Sequence, residues 1–459
     1  MRASAIVENL GIPTVSLICE GFIGQAAAIS PGLGIAGLPV ARIVGHVDGQ
    51  NQDELKHNIR TVTSKAVIEG LTKPLKSNSD SSEHNNDTIV AKGSFDEINE
   101  LFYERKWGDG LPIVPPTTER VAAFLTNSDE DPDRVIGILK PSGSAATIRN
   151  IAINGVMANC LPEYMPVLIA ITEVLVDPAY GVEHSGDTTG GEALIILNGP
   201  IARQLKFNCE EAALRDGYQA NTSVGRFLRL FLRNVAGFLP GGTDKSTFGH
   251  TWRVVLAENE AAAQNVGWSP FSIDAGFEPG ANIVTIGRFT SSGVIGSIYG
   301  NDPNQIAHYL ADGLVRQSSW EFSFTVGFAP GTYRPLVVLS PMVAKTLSQS
   351  GITKQKLRSL LFQHARLPAS KMESYIGAWS NLVPGKQTLS QMVEAGTAAA
   401  CFAENDDPER MVPIVEKPEH ILLVLSGDPL RSNAIVFGSN GMHGFPTSRR
   451  IRLPEGVSD

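Results

Sequence analysis

One cysteine in this chain stands where a thiol can be activated. The segment Asn154-Gly-Val-Met-Ala-Asn-Cys160-Leu-Pro162-Glu163-Tyr164-Met-Pro166 sets it just before a proline, an acidic residue and an apolar run, Val167-Leu-Ile-Ala-Ile-Thr-Glu-Val-Leu. Proline suits the first position of a helix, where its missing N–H is not needed. The pattern therefore predicts a helix starting at Pro162. A helix N-terminus carries partial positive charge and favours a thiolate beside it. On that reading Cys160 is a nucleophile or redox thiol, with Glu163 or a distant histidine as its base. Against it stands the ordinary fate of a free cysteine, which is burial as a small apolar side chain.

Other residues of useful chemistry are scattered. Asp109 lies in Trp107-Gly-Asp-Gly-Leu-Pro-Ile-Val-Pro115-Pro-Thr117, where prolines and glycines fix a loop that holds a carboxylate in place. Asn221-Thr-Ser-Val-Gly-Arg226-Phe-Leu-Arg229-Leu-Phe-Leu-Arg233 reads as a helix capped by Asn221 or Thr222 and ended by Gly237. Its arginines share one face, and Arg226 near the start suits a carboxylate or phosphate. His250 and Lys245 belong to a polar, glycine-flanked loop, where a histidine serves as acid or base. Asn154, Asn198, Gly199, Asn221, Arg226 and Lys245 are the candidate substrate contacts, and Cys160, Glu163, His250 and Asp109 the candidate catalytic groups. Glu183-His184-Ser-Gly-Asp187 looks only superficially like a metal motif. Gly32-Leu-Gly34-Ile-Ala-Gly37 has the letters of a dinucleotide loop. It follows a helix and precedes a strand, which makes it a connecting turn.

The elements that must position these groups alternate between strand and helix, which predicts an α/β protein. In residues 1–72 two apolar strands, near 13–19 and 38–44, alternate with helices. This is the pattern of a truncated Rossmann-like lobe, short of the strands a doubly wound sheet needs, and the lobe should open before the rest. Residues 73–93, polar through most of their length, predict a flexible linker, and residues 94–459 a larger α/β body. That body repeats a strand–turn–helix unit. Leu194-Ile-Ile-Leu-Asn-Gly-Pro-Ile-Ala-Arg-Gln-Leu205 aligns without gaps on Leu336-Val-Val-Leu-Ser-Pro-Met-Val-Ala-Lys-Thr-Leu347, and Leu422-Leu-Val-Leu-Ser-Gly427 echoes the first half. Ligands in such folds bind beyond the carboxyl ends of strands.

Composition narrows the partners. A net charge of −9 argues against nucleic acid, and no apolar run is long enough for a membrane span. Four cysteines, Cys19, Cys160, Cys209 and Cys401, show no paired spacing and suggest a reducing, cytoplasmic setting. The partner expected is a small-molecule substrate. Homo- or hetero-oligomerisation stays open, and the cofactor is unknown.

Several of these stretches together resemble the UGSC-family (seleno)proteins and the larger domain often found with them. They are Gly108-Asp-Gly-Leu-Pro, Pro115-Pro-Thr, Asn154 through Cys160-Leu-Pro-Glu-Tyr, Asn198-Gly-Pro, Asn221 through Arg226, Gly249-His250, Glu258-Asn259 and His364-Ala-Arg366. Met1 to about His46, with Gly11-Ile-Pro-Thr-Val, resembles the second half of the UGSC domain. The selenocysteine- or cysteine-Gly-Ser-Cys motif that names the family is missing from residues 1–75. A late start of the reading frame or loss of the motif would each explain that. The resemblance implies a thiol-dependent, redox enzyme, here centred on Cys160. Two alternatives stand beside it: a non-catalytic binding or assembly subunit whose partner or missing upstream segment supplies the motif, and a cofactor-free hydrolase or lyase built on Asp109, Glu163 and His250.

Overall fold

The computed structural model describes residues 1–459 except 34, 36, 74–88, 251, 253, 384 and 455–459. The N-terminal lobe runs α1 (Arg2–Asn9), β1 (Ser16–Cys19), α2 (Ile23–Gly32), β2 (Val40–Ile43), α3 (Gln52–Asn58) and α4 (Ser64–Thr72), with one π turn between the last two. Asn51 starts α3 through a capping box, its Oδ1 accepting from Glu54 N while Glu54 accepts from Asn51 N. β1 and β2 pair in parallel, from Ser16 opposite Val40 to Cys19 opposite Ile43. They form a two-stranded sheet among the described residues. Most of the 73–93 linker expectation, and part of the Gly32–Gly37 turn, falls outside the described residues.

The body opens with α5 (Phe95–Glu104), α6 (Thr118–Leu125) and the hairpin of β3 (Val135–Leu139) and β4 (Ser144–Thr147). It continues through α7 (Ile148–Met157), α8 (Met165–Leu175), β5 (Glu192–Asn198), α9 (Ile201–Gln204), α10 (Gln219–Asn234), β6 (Val255–Ala257), α11 (Glu260–Asn265), α12 (Phe271–Asp274) and β7 (Ile283–Ile295). Then come α13 (Pro303–Arg316), β8 (Leu336–Leu339), α14 (Pro341–Gln349), α15 (Lys354–His364), β9 (Arg366–Pro368), β10 (Met411–Pro413), β11 (Leu422–Leu425), β12 (Ala434–Ser439) and β13 (Thr447–Arg450). No helix among the described residues is long and apolar enough to cross a membrane.

The main sheet has the order β11-β8-β12-β7-β5-β6, with β13 added on β7. It divides into two equivalent halves. β5 runs parallel to β6 and antiparallel to β7. β8 runs parallel to β11 and antiparallel to β12. The halves join through the antiparallel β7–β12 pair. The repeat seen in the sequence is thus a repeat of topology, with β5 and β8 as its equivalent central strands. The Leu422 echo marks β11, which corresponds to β6 rather than to β5.

The sheet curls until its edges meet. Asn259 N donates to Leu425 O at 2.7 Å, and Ser426 Oγ donates to Ala257 O at 2.8 Å. Side-chain alternation then separates three apolar cores. Leu194, Ile196, Leu256, Phe289, Leu336, Val338, Val424 and Phe437 come from all six strands and fill the inside. Outward-facing Ile195, Leu197, Val255 and Val284 pack with α7, α8 and α10. Outward-facing Val337, Leu339, Leu423 and Val436 pack with α13, α14 and α15.

A buried carboxylate clasps the seam. Glu258 follows β6 and is 3 % exposed. Its Oε2 accepts from Phe271 N at 2.6 Å and from Asn198 Nδ2, and its Oε1 accepts from Leu425 N at 3.2 Å. Burial pushes its carboxyl up, while Lys354 and these donors oppose that shift. Lys354 is itself buried and bound to Asp274 at 2.6 Å, and Asp274 also takes Arg358. Removing one member of such a network strands the others. Glu258→Ala should therefore lower stability by about 3–5 kcal/mol in urea unfolding. Glu258→Gln, which keeps an acceptor, should lose less. Glu258→Ala within about 1 kcal/mol of the native chain would contradict the clasp.

Candidate functional site

Cys160 turns out to belong to the helix before it. α7 ends at Met157, and Asn159 takes a left-handed φ of 62°. Cys160 N donates to Gly155 O at 3.0 Å and Asn159 N to Val156 O at 2.9 Å, which together make a Schellman ending. The thiol therefore sits at the negative end of α7. The following turn, Pro162–Tyr164, is a single 3-10 turn, and α8 starts only at Met165. Cys160 is buried, and burial pushes its thiol up to about 12, with the Ser223 hydroxyl and Arg226 opposing. This corrects the expectation of a thiolate at a helix start. Glu163 is exposed while Cys160 is buried, so it is not placed as a base for that thiol.

The neighbouring candidates hold the fold together. Arg226 binds Asp109 through two parallel bonds, Nε to Oδ2 at 2.9 Å and a terminal nitrogen to Oδ1 at 2.8 Å. That same nitrogen donates to Leu111 O and Pro112 O. The Asp109 carboxyl is held below its usual range: burial alone would raise it, and Arg226 outweighs that. Asn154 joins α7 to α10 by accepting from Asn234 Nδ2 at 2.9 Å. Asn221 lies inside α10 rather than at its cap, and ties Asn208 and Val255 together. Asn198 is fully buried and donates to Glu258 and Glu260, while Gly199 N also binds Glu260. Lys245 Nζ turns back to Gly241 O at 3.2 Å. His250 stacks on Trp252, which packs edge-on against Phe437 at the end of the inner core. Thus the structure joins Asp109 to Arg226 with Cys160 near them, sets Asn198 and Gly199 together on Glu260, and leaves the others in separate structural posts.

A different polar cluster forms where the loop before β5 meets the loops after α10 and β12. Asp187 Oδ1 accepts from Gly190 N at 3.0 Å and Gly191 N at 3.1 Å. Its Oδ2 accepts from Asn440 Nδ2 and lies 3.6 Å from His443 Nε2. The His443 ring stacks on His184, with centroids 4.3 Å apart. The Asp187 and His443 side chains are 11 % and 13 % exposed, so solvent reaches both while neither is free to swing.

Close backbone contact builds this corner. Gly181 has φ +65°, and a Cβ there would stand 2.5 Å from His443 O. Gly444 has φ +132°, and a Cβ there would stand 2.0 Å from Tyr180 O. No side chain fits at either place. Arg288, from β7, fastens the same two loops by donating to His443 O, Gly181 O and Ser185 Oγ. Its guanidinium lies 4.9 Å from the Tyr180 ring. Beneath it, Lys245 N and Thr247 N bind Gly186 O and Thr188 O. Glu192, first residue of β5, contacts Arg229. Burial raises the Glu192 carboxyl and Arg229 opposes this.

Sequence reasoning dismissed Glu183-His184-Ser-Gly-Asp187 because the partner lay out of sight. His443 is 256 positions after Asp187 and comes to it because β5 and β12 both pair with β7, Glu192 and Ser439 each opposite Phe289. Among the described residues no group of three or more His, Cys, Asp or Glu side chains is placed to hold a metal ion. A shallow depression lined by Asn127, Glu130, Pro166, Ile169, Glu173 and Arg452 lies beside α8, and none of the candidate groups lines it.

Residues 1–73 match the model of the UGSC family. The match covers the N-terminal lobe and ends where α4 ends. No curated protein and no solved structure matches this chain.

If Cys160 is as its surroundings dictate, native protein treated with iodoacetamide between pH 7 and pH 10 leaves Cys160 unlabelled. The same residue labels after unfolding in urea. A labelling midpoint for native Cys160 at or below ~8.5, the value of a free thiol, would contradict the burial argument.

Proposed function

We propose that this chain catalyses proton transfer on a small polar molecule, as a hydrolase or lyase, with Asp187, His443 and His184 as its working groups. The observation that carries the reading is the Asp187 carboxylate. It is immobilised by two backbone N–H groups and Asn440, with a histidine nitrogen 3.6 Å away. A carboxylate so placed orients an imidazole and stabilises its charged form. His443 then takes and returns the proton, and the stacked His184 fixes the plane of its ring. The 3.6 Å separation is longer than a hydrogen bond, and such contacts tighten when substrate binds.

This reading keeps the hydrolase-or-lyase class but moves its residues away from Asp109, Glu163 and His250. Asp109 is committed to Arg226, Glu163 faces solvent, and His250 stacks on Trp252. The redox-thiol reading draws its support from the family resemblance of residues 1–73 and none from the surroundings of Cys160.

The test is turnover on a panel of aryl esters, amides and hydroxy acids. His443→Gln and Asp187→Asn should each lower kcat/KM by about 100-fold or more, with melting temperature unchanged. Cys160→Ser should stay within about twofold of the native rate. Loss of activity in Cys160→Ser with His443→Gln unaffected would overturn the proposal. So would the absence of any turnover by the native chain across the panel.

A further inference from the structure

The Asp187 loop rests on a turn that the N-terminal lobe helps to hold. Residues 239–244, between α10 and β6, contain the adjacent glycines Gly241 and Gly242, and Gly241 has φ +75°. A segment so rich in glycine is free to take many shapes, and bonds must choose one. Thr243 supplies the central ones. It is 7 % exposed, and its Oγ1 accepts from Leu239 N at 2.8 Å and donates to Gly237 O. Around it Leu239 O accepts from Gly242 N and Asp244 N, and Asp244 O accepts from Gly241 N. The Thr243 carbonyl looks out of the turn. It accepts from Gln25 Nε2 of α2 at 3.1 Å, across 218 positions of chain, and from no other donor among the described residues.

The Asp187 loop lies directly on that carbonyl. A Cβ on Gly186 would stand 2.6 Å from Thr243 O, and 2.9 Å from both Asp244 Cα and the Phe238 ring. Only glycine allows this approach. On the same side, Gly186 O accepts from Lys245 N at 3.0 Å, and Thr188 O accepts from Thr247 N at 3.1 Å and from Thr247 Oγ1 at 2.9 Å. Asp187 therefore stands between two residues pinned to the stretch that follows Thr243. Its carboxylate is then aimed by Gly190 N, Gly191 N and Asn440 Nδ2.

We infer that Gln25 is a positioning residue for Asp187: the N-terminal lobe holds the Thr243 carbonyl, and through it the seat of the Asp187 loop. The consequence for turnover rests on the Asp187–His443 reading, whereas the brace itself does not. A carbonyl in so buried a residue is costly to leave unbonded. Without the Gln25 donor the glycine-rich turn rotates that carbonyl toward water. Gly186 has no clearance to absorb the movement, and Asp187 is the next residue. The lobe's other bond to the body, Asn381 Nδ2 to Asp48 Oδ2, joins exposed groups elsewhere and is untouched by a change at Gln25.

The test compares Gln25→Met and Gln25→Lys in the full chain. Methionine keeps the length and helix preference of glutamine without a donor, and lysine keeps an N–H donor. Hydrogen exchange is read by mass spectrometry on peptides covering residues 185–191 and 194–197. In Gln25→Met the first should exchange about threefold to tenfold faster, as the loss of one hydrogen bond allows, and the second at its native rate. On any substrate the native chain turns over, kcat should fall by a similar factor with KM within about twofold. Gln25→Lys should restore both. Unchanged exchange at 185–191 in Gln25→Met would overturn the inference. Equal acceleration at 194–197 would overturn it too, because the body would then be loosened as a whole. So would a Gln25→Lys chain that exchanges as fast as Gln25→Met, since the bond would not be the cause. Faster exchange at 185–191 with unchanged kcat would support the brace and count against Asp187 as a working group, so the two readings fail separately.

Discussion

The closure of the curled sheet is the constraint on which the rest of this structure depends. Six strands from two repeated halves pair into one sheet through β7 and β12, and that sheet closes on itself where β6 and β11 meet at their carboxyl ends. Neither strand has length to spare, at three and four residues. Main-chain pairing alone does not hold so short a seam. Glu258 adds three acceptor contacts there, and Lys354, Asp274 and Arg358 hold its surroundings. A buried carboxylate in such a place is costly unless every bond is made. That cost is why the carboxyl-end residues Asn198 and Glu258 serve as structure, although ligands commonly bind beyond the carboxyl ends of strands in α/β folds.

The long strand β7, shared between the halves, carries chemistry to the opposite end of β5. Pairing of both β5 and β12 with β7, where Glu192 and Ser439 each lie opposite Phe289, brings Asn440 and His443, which follow β12, onto Asp187, which precedes β5. Glycines at 181 and 444 let the two main chains touch, and Arg288 laces them. The polar corner is thus a joint between the repeats. Each half supplies what the other lacks, a carboxylate from one and an imidazole from the other.

Much of the fold was legible in the sequence. The helix and strand alternation of the N-terminal lobe, the α/β class and the β5–β8 repeat follow from apolar spacing that local propensity and burial both support. The site was far less legible. Cys160 misled because the pattern Cys-Leu-Pro-Glu announces the helix after it, while the left-handed Asn159 that makes it the tail of α7 carries no such signal. Arg226 was legible as a binder of a carboxylate, but the carboxylate is the chain's own Asp109. Asp187 and His443 stayed hidden because their relation is purely tertiary. The one local hint was the density of glycines, Gly186, Gly190 and Gly191, around an aspartate that accepts from two of them.

The most direct test of the account is a double-mutant cycle on turnover with Asp187→Asn, His443→Gln and the two together. If the carboxylate and the imidazole act as one unit, the double variant loses little more kcat/KM than either single variant, because each substitution already disables the unit. A double variant whose loss is the product of the two single losses would mean the two groups act independently, and the proposed site would lose its basis.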